Sequence, residues 1–396
     1  MAPASGSALV ADPDVRWMTS VITRLAADDF AGRRIGTAGG RVAAEYLADR
    51  LRALGAQASF DRFGVPTAVR EVYATPRLAL SGSGPLTFRR DFCEHLASAD
   101  APAMRSGPIV AIDAANADGA WVVDSAWSAE RVSAAADAGA IGVLVPRGTD
   151  SAGWMPKMIV GPTPGPLPVL AVRTAIHDAL ARDRSVVAEA AVPLRTVDVS
   201  GANVIGVFRD GAVGATSLLL TAHFDGVGDD PDQRFPAACD NAAGVAAVME
   251  SARLLHRSLP SDVGLAVALL DGEEAGARGS ANYARQVRHG TYVINLDGAA
   301  QLADAAHVEA GGPAEPLLLA LDAAARQIGV RLLPRAMPSD NRRFAAAGIP
   351  AIGIGMGMPG YQTPMETPDR VDAETLDKAV RLVVATASSL VDGPIV

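Results

Sequence analysis

Four short segments between positions 218 and 297 place metal-binding residue types beside apolar runs. They are Thr221-Ala-His223-Phe-Asp225-Gly, Cys239-Asp240-Asn-Ala-Ala-Gly, Leu270-Asp-Gly-Glu273-Glu274 and Ile294-Asn-Leu-Asp297-Gly. Together they offer one imidazole and several carboxylates, a donor set suited to paired divalent ions about 3.5 to 4 Å apart and bridged by one carboxylate. Singly, each has a plainer reading. His223 is as readily a structural histidine, Asp240 before a helical pattern reads as an N-cap, and Asp297 reads as a solvated turn residue. Four such coincidences in series are a weaker account than one metal site. Within it, Asp225 is placed to accept the second ring N–H of His223 and fix its ligating tautomer. The adjacent carboxylates Glu273 and Glu274 repel unless a cation separates their tasks, one binding metal and the other serving as base.

The elements that must position these residues follow from periodicity. Beyond about residue 200, apolar runs at 217–222, 263–270, 291–296 and 350–354 read as buried strands, and helical patterns cover 242–255, 279–287, 314–328, 342–347 and 373–390. Such alternation predicts an α/β sheet with helices on both faces, where ligands gather at the carboxyl ends of the strands. Three of the four motifs fall at strand ends, and the Asp240 motif opens a helix. Residues 14–55 read as helices interrupted by a loop at 30–39. The stretch 76–196 has a different texture, with short β-like pieces, many Pro and Gly, and one clear helix at 128–138. The first helices alone cannot form a core, so 76–196 reads as a domain inserted into a catalytic domain of 14–75 and 197–396, after a flexible segment 1–13.

The chain has 396 residues, 49% hydrophobic and 20% charged, with a net charge of −9, an ordinary globular composition with ample core. Net acidity without a basic cluster argues against nucleic acid or an anionic membrane as partner. No run reaches the roughly 18 apolar residues of a spanning helix, and the N-terminus lacks the pattern of a secretory signal, so the expected location is cytoplasmic. Cys93 and Cys239 are too few for a disulfide framework. Cys239 reads as a small buried thiol rather than a nucleophile, and His95, His177, His256, His289 and His307 as structural or surface residues.

As an ordered set, the motifs resemble the two-zinc aminopeptidases and glutamate carboxypeptidases, and the middle of the chain resembles their inserted protease-associated (PA) domain. Asp29-Phe-Ala-Gly-Arg-Arg-Ile-Gly-Thr-Ala-Gly resembles the N-terminal loop of that family. The resemblance implies a three-layer αβα catalytic domain with a mixed central sheet, carrying a smaller β-rich PA-like insertion. It implies that His223 and Asp297 hold the first metal, Asp240 bridges, Glu274 holds the second, and Glu273 is the general base toward a water on the metal. One or two divalent ions are expected, zinc foremost. The family closes its site with Tyr-His-Thr-Pro and then Asp-Thr. This chain reads Tyr361-Gln362-Thr363-Pro364-Met365-Glu366-Thr367, so Gln362 stands where the histidine of the second metal belongs. The Ser-Asp-His stretch of the family is Ser339-Asp340-Asn341 here, which places Asp340 and Asn341 toward substrate.

Three readings of the altered site stand open. Gln362 ligates through its amide oxygen, giving an oxygen-only second site suited to manganese or another hard ion. Alternatively, one ion is held by His223, Asp240 and Asp297, or Glu366 replaces the missing ligand instead of holding the turn. The expected reaction is hydrolysis of an amide bond, with the Tyr361 hydroxyl helping to stabilise the oxyanion. The leading function is an aminopeptidase of short peptides. A specialised amidase of one metabolite or peptide-like intermediate, and a non-catalytic binding module on a decayed peptidase scaffold, are the alternatives. Glutaminyl cyclases share the fold but rely on the histidine that Gln362 replaces. The expected partner is a small peptide or amide substrate, with no nucleic acid or membrane, and a homodimer is left open.

Overall fold

The computed structural model describes residues 12–114, 116–212 and 214–392. Most of the N-terminal segment expected to be flexible lies outside them. The chain forms two compact units: one holds the residues through Gly64, Ser200–Gly228 and those from Phe235 onward, and the other holds Val65–Val199 with Asp229–Arg234. Two of the boundaries fall inside long strands, Gln57–Val72 and Leu194–Arg209.

The first unit is built on an eight-stranded mixed sheet. Its order is Gln57–Val72, Leu194–Arg209, Gly264–Leu270, Ser217–His223, Thr291–Leu296, Ala351–Gly355, Ala306–Gly311 and Leu332–Pro334. The strands Gly264–Leu270, Ser217–His223, Thr291–Leu296 and Ala351–Gly355 run parallel, with antiparallel neighbours on either side. Parallel central strands are covered on both faces, which is why Leu218, Leu219 and Leu220 are apolar in succession rather than alternating. Leu218, Leu220 and Ala222 pack on Val245, Val248 and Met249 of the helix Ala243–Ser258. The helices Val15–Leu25, Ala38–Ala53, Glu315–Ile328 and Ala373–Asp392 contribute to the same core. On the opposite face Leu219, Leu270 and Val293 meet Ala284 and Phe344, beside the short helices Arg278–Tyr283 and Asn341–Ala346. The three layers of the expected fold are present.

The second unit carries a seven-stranded sheet ordered Arg77–Leu80, Val187–Val192, Ala101–Ala111, Trp121–Val123, Gly142–Arg147, Val169–Arg173 and Phe92–Glu94. Fully buried Trp121 packs in a core with Phe92, Leu144 and Leu170. The helix expected at 128–138 is Ala129–Asp137, but a second helix, Thr174–Arg182, was not expected. It starts directly after a strand without a side-chain cap and buries only His177 and Leu180, so little in its sequence announces it. Arg89 pairs with Asp230 at 2.7 Å and Glu94 at 2.8 Å, and Lys157 reaches Asp230 at 2.9 Å. These charges are buried, and each has an opposite partner, as burial requires. Among the described residues no helix is long and apolar enough to cross a membrane.

Candidate metal centre

His223 is the last residue of its strand, and the parallel register pairs Thr221 with Asn295. Two residues further along both chains, on the same face, His223 and Asp297 therefore stand side by side. His223 Nε2 lies 3.3 Å from Asp297 Oδ1 and 3.0 Å from Asp240 Oδ1. Ligand atoms of these three buried residues all lie within 4.8 Å of one another. Donors sharing one ion in tetrahedral geometry at about 2.1 Å sit about 3.4 Å apart, so the set fits a single divalent cation.

Three polar networks hold the ligands. In the first, Thr221 Oγ1 donates to Asn295 Oδ1 at 2.7 Å and Asn295 Nδ2 donates to Ser339 Oγ at 3.1 Å. Ser339 in turn hydrogen-bonds Asp297. In the second, Asn241 Nδ2 donates to the Leu296 carbonyl at 2.9 Å, while its Oδ1 accepts from Gly244 N–H at 3.1 Å and Gly298 N–H at 3.0 Å. Asp240 is thereby tied to the turn after Asp297. A Cβ at Gly244 would lie 2.1 Å from Asn241 Oδ1, so glycine is needed there. Asp240 itself caps no helix: it has φ −118° and ψ 89°, the regular helix starts at Ala243 after Ala242, and the side chain that takes up the Gly244 N–H is Asn241.

The third network is Arg33, fully buried in the N-terminal loop. Its guanidinium donates to the carbonyls of Phe224 (2.8 Å), Leu25 (2.6 Å), Pro236 (2.9 Å) and Ala237 (2.8 Å). Of these, the Phe224 carbonyl directly follows His223, and those of Pro236 and Ala237 lead into Asp240. A short helical turn, Asp28–Arg33, overlaps the start of the loop expected at 30–39 and carries this side chain. The only sequence signal was an arginine pair inside a glycine-punctuated loop.

Asp225 acts differently from expectation. His223 Nδ1 faces the Asp225 backbone oxygen at 3.1 Å, with the carboxylate farther off at 3.6 Å. The carboxylate instead accepts the backbone N–H groups of Glu273 at 3.0 Å and Glu274 at 3.2 Å. Buried Asp225 therefore fixes the loop bearing the paired glutamates, and the backbone carbonyl does the work foreseen for its side chain.

Burial penalises a charged His223, but Asp297, Asp225 and Asp240 outweigh it and raise the imidazole well above its ordinary pKa. Burial opposes ionisation of Asp297 too, yet His223 and Ser339 hold its carboxyl below the usual range. Asp240 is raised by burial against the pull of His223. Glu273 and Glu274 are raised well above normal by burial and by surrounding carboxylates. A buried cluster of repelling carboxyls around one imidazole is the charge arrangement that a divalent cation relieves.

Gln362 sits in the Tyr361–Thr367 turn at φ 52°, 4% exposed. Its Nε2 donates to Glu274 Oε2 at 2.6 Å, while its buried Oε1 has no hydrogen-bond partner. The amide thus presents its nitrogen, not its oxygen, to Glu274. Glu366 is buried and holds the turn, its carboxylate accepting from Gln362 N–H at 2.7 Å. Tyr361 is 45% exposed at the rim. Burial of its hydroxyl end, with Asp240, Glu274 and Glu273 nearby, pushes the phenol up, so it remains a protonated donor. Asp240, Glu273 and Asp297 lie on a pocket of about 360 Å³ that is also lined by Met337, Met358, Tyr361, His307 and Arg335.

Comparison with protein families finds that residues 203–387 match peptidase family M28. This segment is an M28 peptidase domain. It places the chain among metal-dependent hydrolases of peptide bonds. Comparison with curated proteins gives no sequence match. Among solved structures the chain is similar to a zinc aminopeptidase from Bacillus subtilis, 22% identical, with 96% of each chain covered and a TM-score of 0.73. It is also similar to an aminopeptidase from Aneurinibacillus sp. strain AM-1, 21% identical over 96% of this chain and 94% of that one, with a TM-score of 0.69. A glutaminyl cyclase from Porphyromonas gingivalis is more distant, 15% identical over 96% of this chain and 99% of that one, with a TM-score of 0.54. At these identities the likeness is one of fold.

Within the M28 domain, Asp340 and Asn341 do not line the pocket; they are 0% and 1% exposed. Asp340 is pushed up to about 7 by burial, and His223 opposes that shift. The residues just before them, Arg335 to Ser339, line the pocket instead, a displacement that sequence order alone did not reveal. His307, expected to be structural or surface, lines the pocket too because the antiparallel pairing with Ala351–Gly355 sets it opposite Gly355. Cys239 is buried and its thiol is raised, first by burial and then by Glu366 and Asp240, which removes it as a nucleophile at neutral pH.

Proposed function

We propose that this protein is a zinc aminopeptidase of short peptides that works with a single ion held by His223, Asp240 and Asp297. The observation that carries this reading is Glu273 on the same pocket as two of the three ligands, with its backbone fixed by Asp225. When bound, the ion polarises the scissile carbonyl and acidifies an attacking water. Glu273 takes a proton from that water as its oxygen bonds to the carbonyl carbon. The Tyr361 hydroxyl donates to the oxygen that gains negative charge. Glu273 then passes the proton to the amide nitrogen as the C–N bond breaks, leaving a carboxylic acid and an amine.

Two further features favour a small substrate with a free amino terminus. The pocket, about 360 Å³, lies at the small end of the usual ligand range of about 300 to 1,000 Å³, which suits a side chain and its peptide group. Its carboxyl-rich lining suits an ammonium. The β-rich unit of Val65–Val199 is read as the inserted PA domain. The test is a panel of short peptides, free and N-acetylated, incubated with the zinc-loaded protein and followed by mass spectrometry. Loss of one N-terminal residue from free peptides alone is expected. Cleavage of acetylated peptides, or silence with zinc bound, would replace this reading with a specialised amidase.

A further inference from the structure

We infer that Arg335, with His307 beside it, is a subsite for a substrate carboxylate, so that the enzyme selects substrates carrying a negative charge close to the scissile bond. The inference rests on the peptidase reading above and adds the chemical class of substrate.

Arg335 is anchored by its own backbone, its N–H donating to the Val308 carbonyl at 3.0 Å, directly after the pairing of Val308 with Pro334. It therefore stands next to the strand that carries His307, and both side chains line the pocket that holds Asp240, Glu273 and Asp297. Among the described residues Arg335 has no ion-pair partner. The acid best placed to take that role, Glu309, is already committed: Oε2 accepts from Met337 N–H at 2.8 Å and Arg342 Nε at 2.9 Å, and Oε1 accepts from Arg342 Nη2 at 3.0 Å. Of the residues that line this carboxylate-rich pocket, Arg335 is the one that carries a guanidinium. A guanidinium offers a planar fork that matches a carboxylate with two parallel hydrogen bonds. The pocket thus combines three carboxylates, Asp240, Glu273 and Asp297, with one guanidinium, and Met337 and Met358 also line it. That combination fits a molecule with an amine at one end and a carboxylate at the other.

Two sources share this chemistry: an acidic side chain on the residue being released, or the free α-carboxylate of a dipeptide. Arg335→Gln and Arg335→Glu are compared with wild type in the zinc-loaded full chain on two matched pairs. One pair is N-terminal Glu against N-terminal Gln peptides; the other is a dipeptide against its C-terminal amide. Wild type is expected to prefer the charged member of one pair by about tenfold, carried in KM rather than kcat. The exposed guanidinium limits the effect, and added salt weakens it. Arg335→Gln should abolish that preference and Arg335→Glu reverse it, and the pair that responds identifies the source. Equal treatment of charged and neutral members by wild type, or a preference that survives both substitutions, overturns the proposal. Calorimetric binding of the same pairs to zinc-loaded Glu273→Gln, with and without Arg335→Gln, reads the same contrast without turnover. A protein silent as a peptidase but selective in binding would sink the peptidase reading and leave the subsite standing.

Discussion

Replacing Gln362 by His tests the single-ion reading at the position where this chain departs from the resemblance. With Glu274 raised well above its ordinary range, the Gln362 Nε2 bond to it at 2.6 Å is worth about 1 kcal/mol. The buried Oε1 beside it has no partner, a cost of about 1 to 3 kcal/mol already carried by the wild type. Removing both leaves the metal-free stability within about 2 kcal/mol of where it began. The backbone raises no objection, because φ is 52° at this residue and histidine is enriched in the left-handed region. The imidazole adds a neutral nitrogen beside Glu274 and near Asp240, completing a donor set for a second ion. At free zinc about one hundredfold above its dissociation constant, that ion adds about 2.7 kcal/mol. At about 1 to 2 °C per kcal/mol for a chain of this size, the melting temperature rises by roughly 3 to 5 °C. Elemental mass spectrometry is expected to find one ion per chain in wild type and two in Gln362→His, with zinc-dependent melting moving accordingly. Two ions in wild type would refute the reasoning, since the amide would then be ligating through its oxygen. One ion in both proteins would show that Gln362 is not what limits the second site.

Three other predictions follow from the same geometry. Glu273→Gln should lower kcat by about 10² to 10⁴ while metal content stays constant, because Glu273 is outside the three-residue ligand set; loss of the ion would move Glu273 into it. Arg33→Lys puts three donors on one atom where the guanidinium spans four carbonyls, and is expected to weaken zinc about 10- to 100-fold in a chelator competition. A lower melting temperature at unchanged zinc affinity would make Arg33 merely structural. His95 stacks on Trp127 at 5.3 Å, accepts from Ala97 N–H, and is pulled down to about 4 by burial and Arg147. The unfolded chain protonates this ring near 6.5, so its contribution is complete above that pH and lost as pH falls toward 4. Unfolding free energies from urea titrations at pH 7.5 and 4.5 should therefore converge in His95→Asn by about 1 to 2 kcal/mol relative to wild type, after discounting for partial exposure. Equal acid sensitivity in both proteins would exclude His95 as the cause.

What the sequence disclosed depended on whether a residue announces itself locally. Buried parallel strands must be apolar throughout, so 291–296 was legible to the residue and 217–222 was short by only His223. The strands Gln57–Val72 and Leu194–Arg209 were not, because edge and near-edge positions admit Asp61, Arg62, Arg195 and Asp198. The same division holds at the metal centre. His223, Asp240 and Asp297 adjoin apolar runs, whereas Arg33 is 191 residues from its Phe224 acceptor. Only the fold makes such a partner visible. Asp225 shows a subtler limit: spacing put it beside His223 correctly, but could not say whether its carboxylate or its carbonyl would face the ring.

The carboxyl cluster also bears on whether the scaffold has decayed into a binding module. Asp240, Glu273 and Glu274 are all driven up by burial and by one another, with His223 as the nearby cation. Such a cluster destabilises a fold that has no ion to put in it, and neutral residues of similar size would relieve the strain at once. The chain instead invests hydrogen bonds from Asp225, Asn241, Ser339 and Arg33 in keeping these groups together. A substitution that relieves repulsion does occur at one place: the neutral amide of Gln362 is bonded to Glu274 and leaves the other three ligands undisturbed. The single-ion reading proposed above is consistent with both facts, whereas general decay accounts for neither.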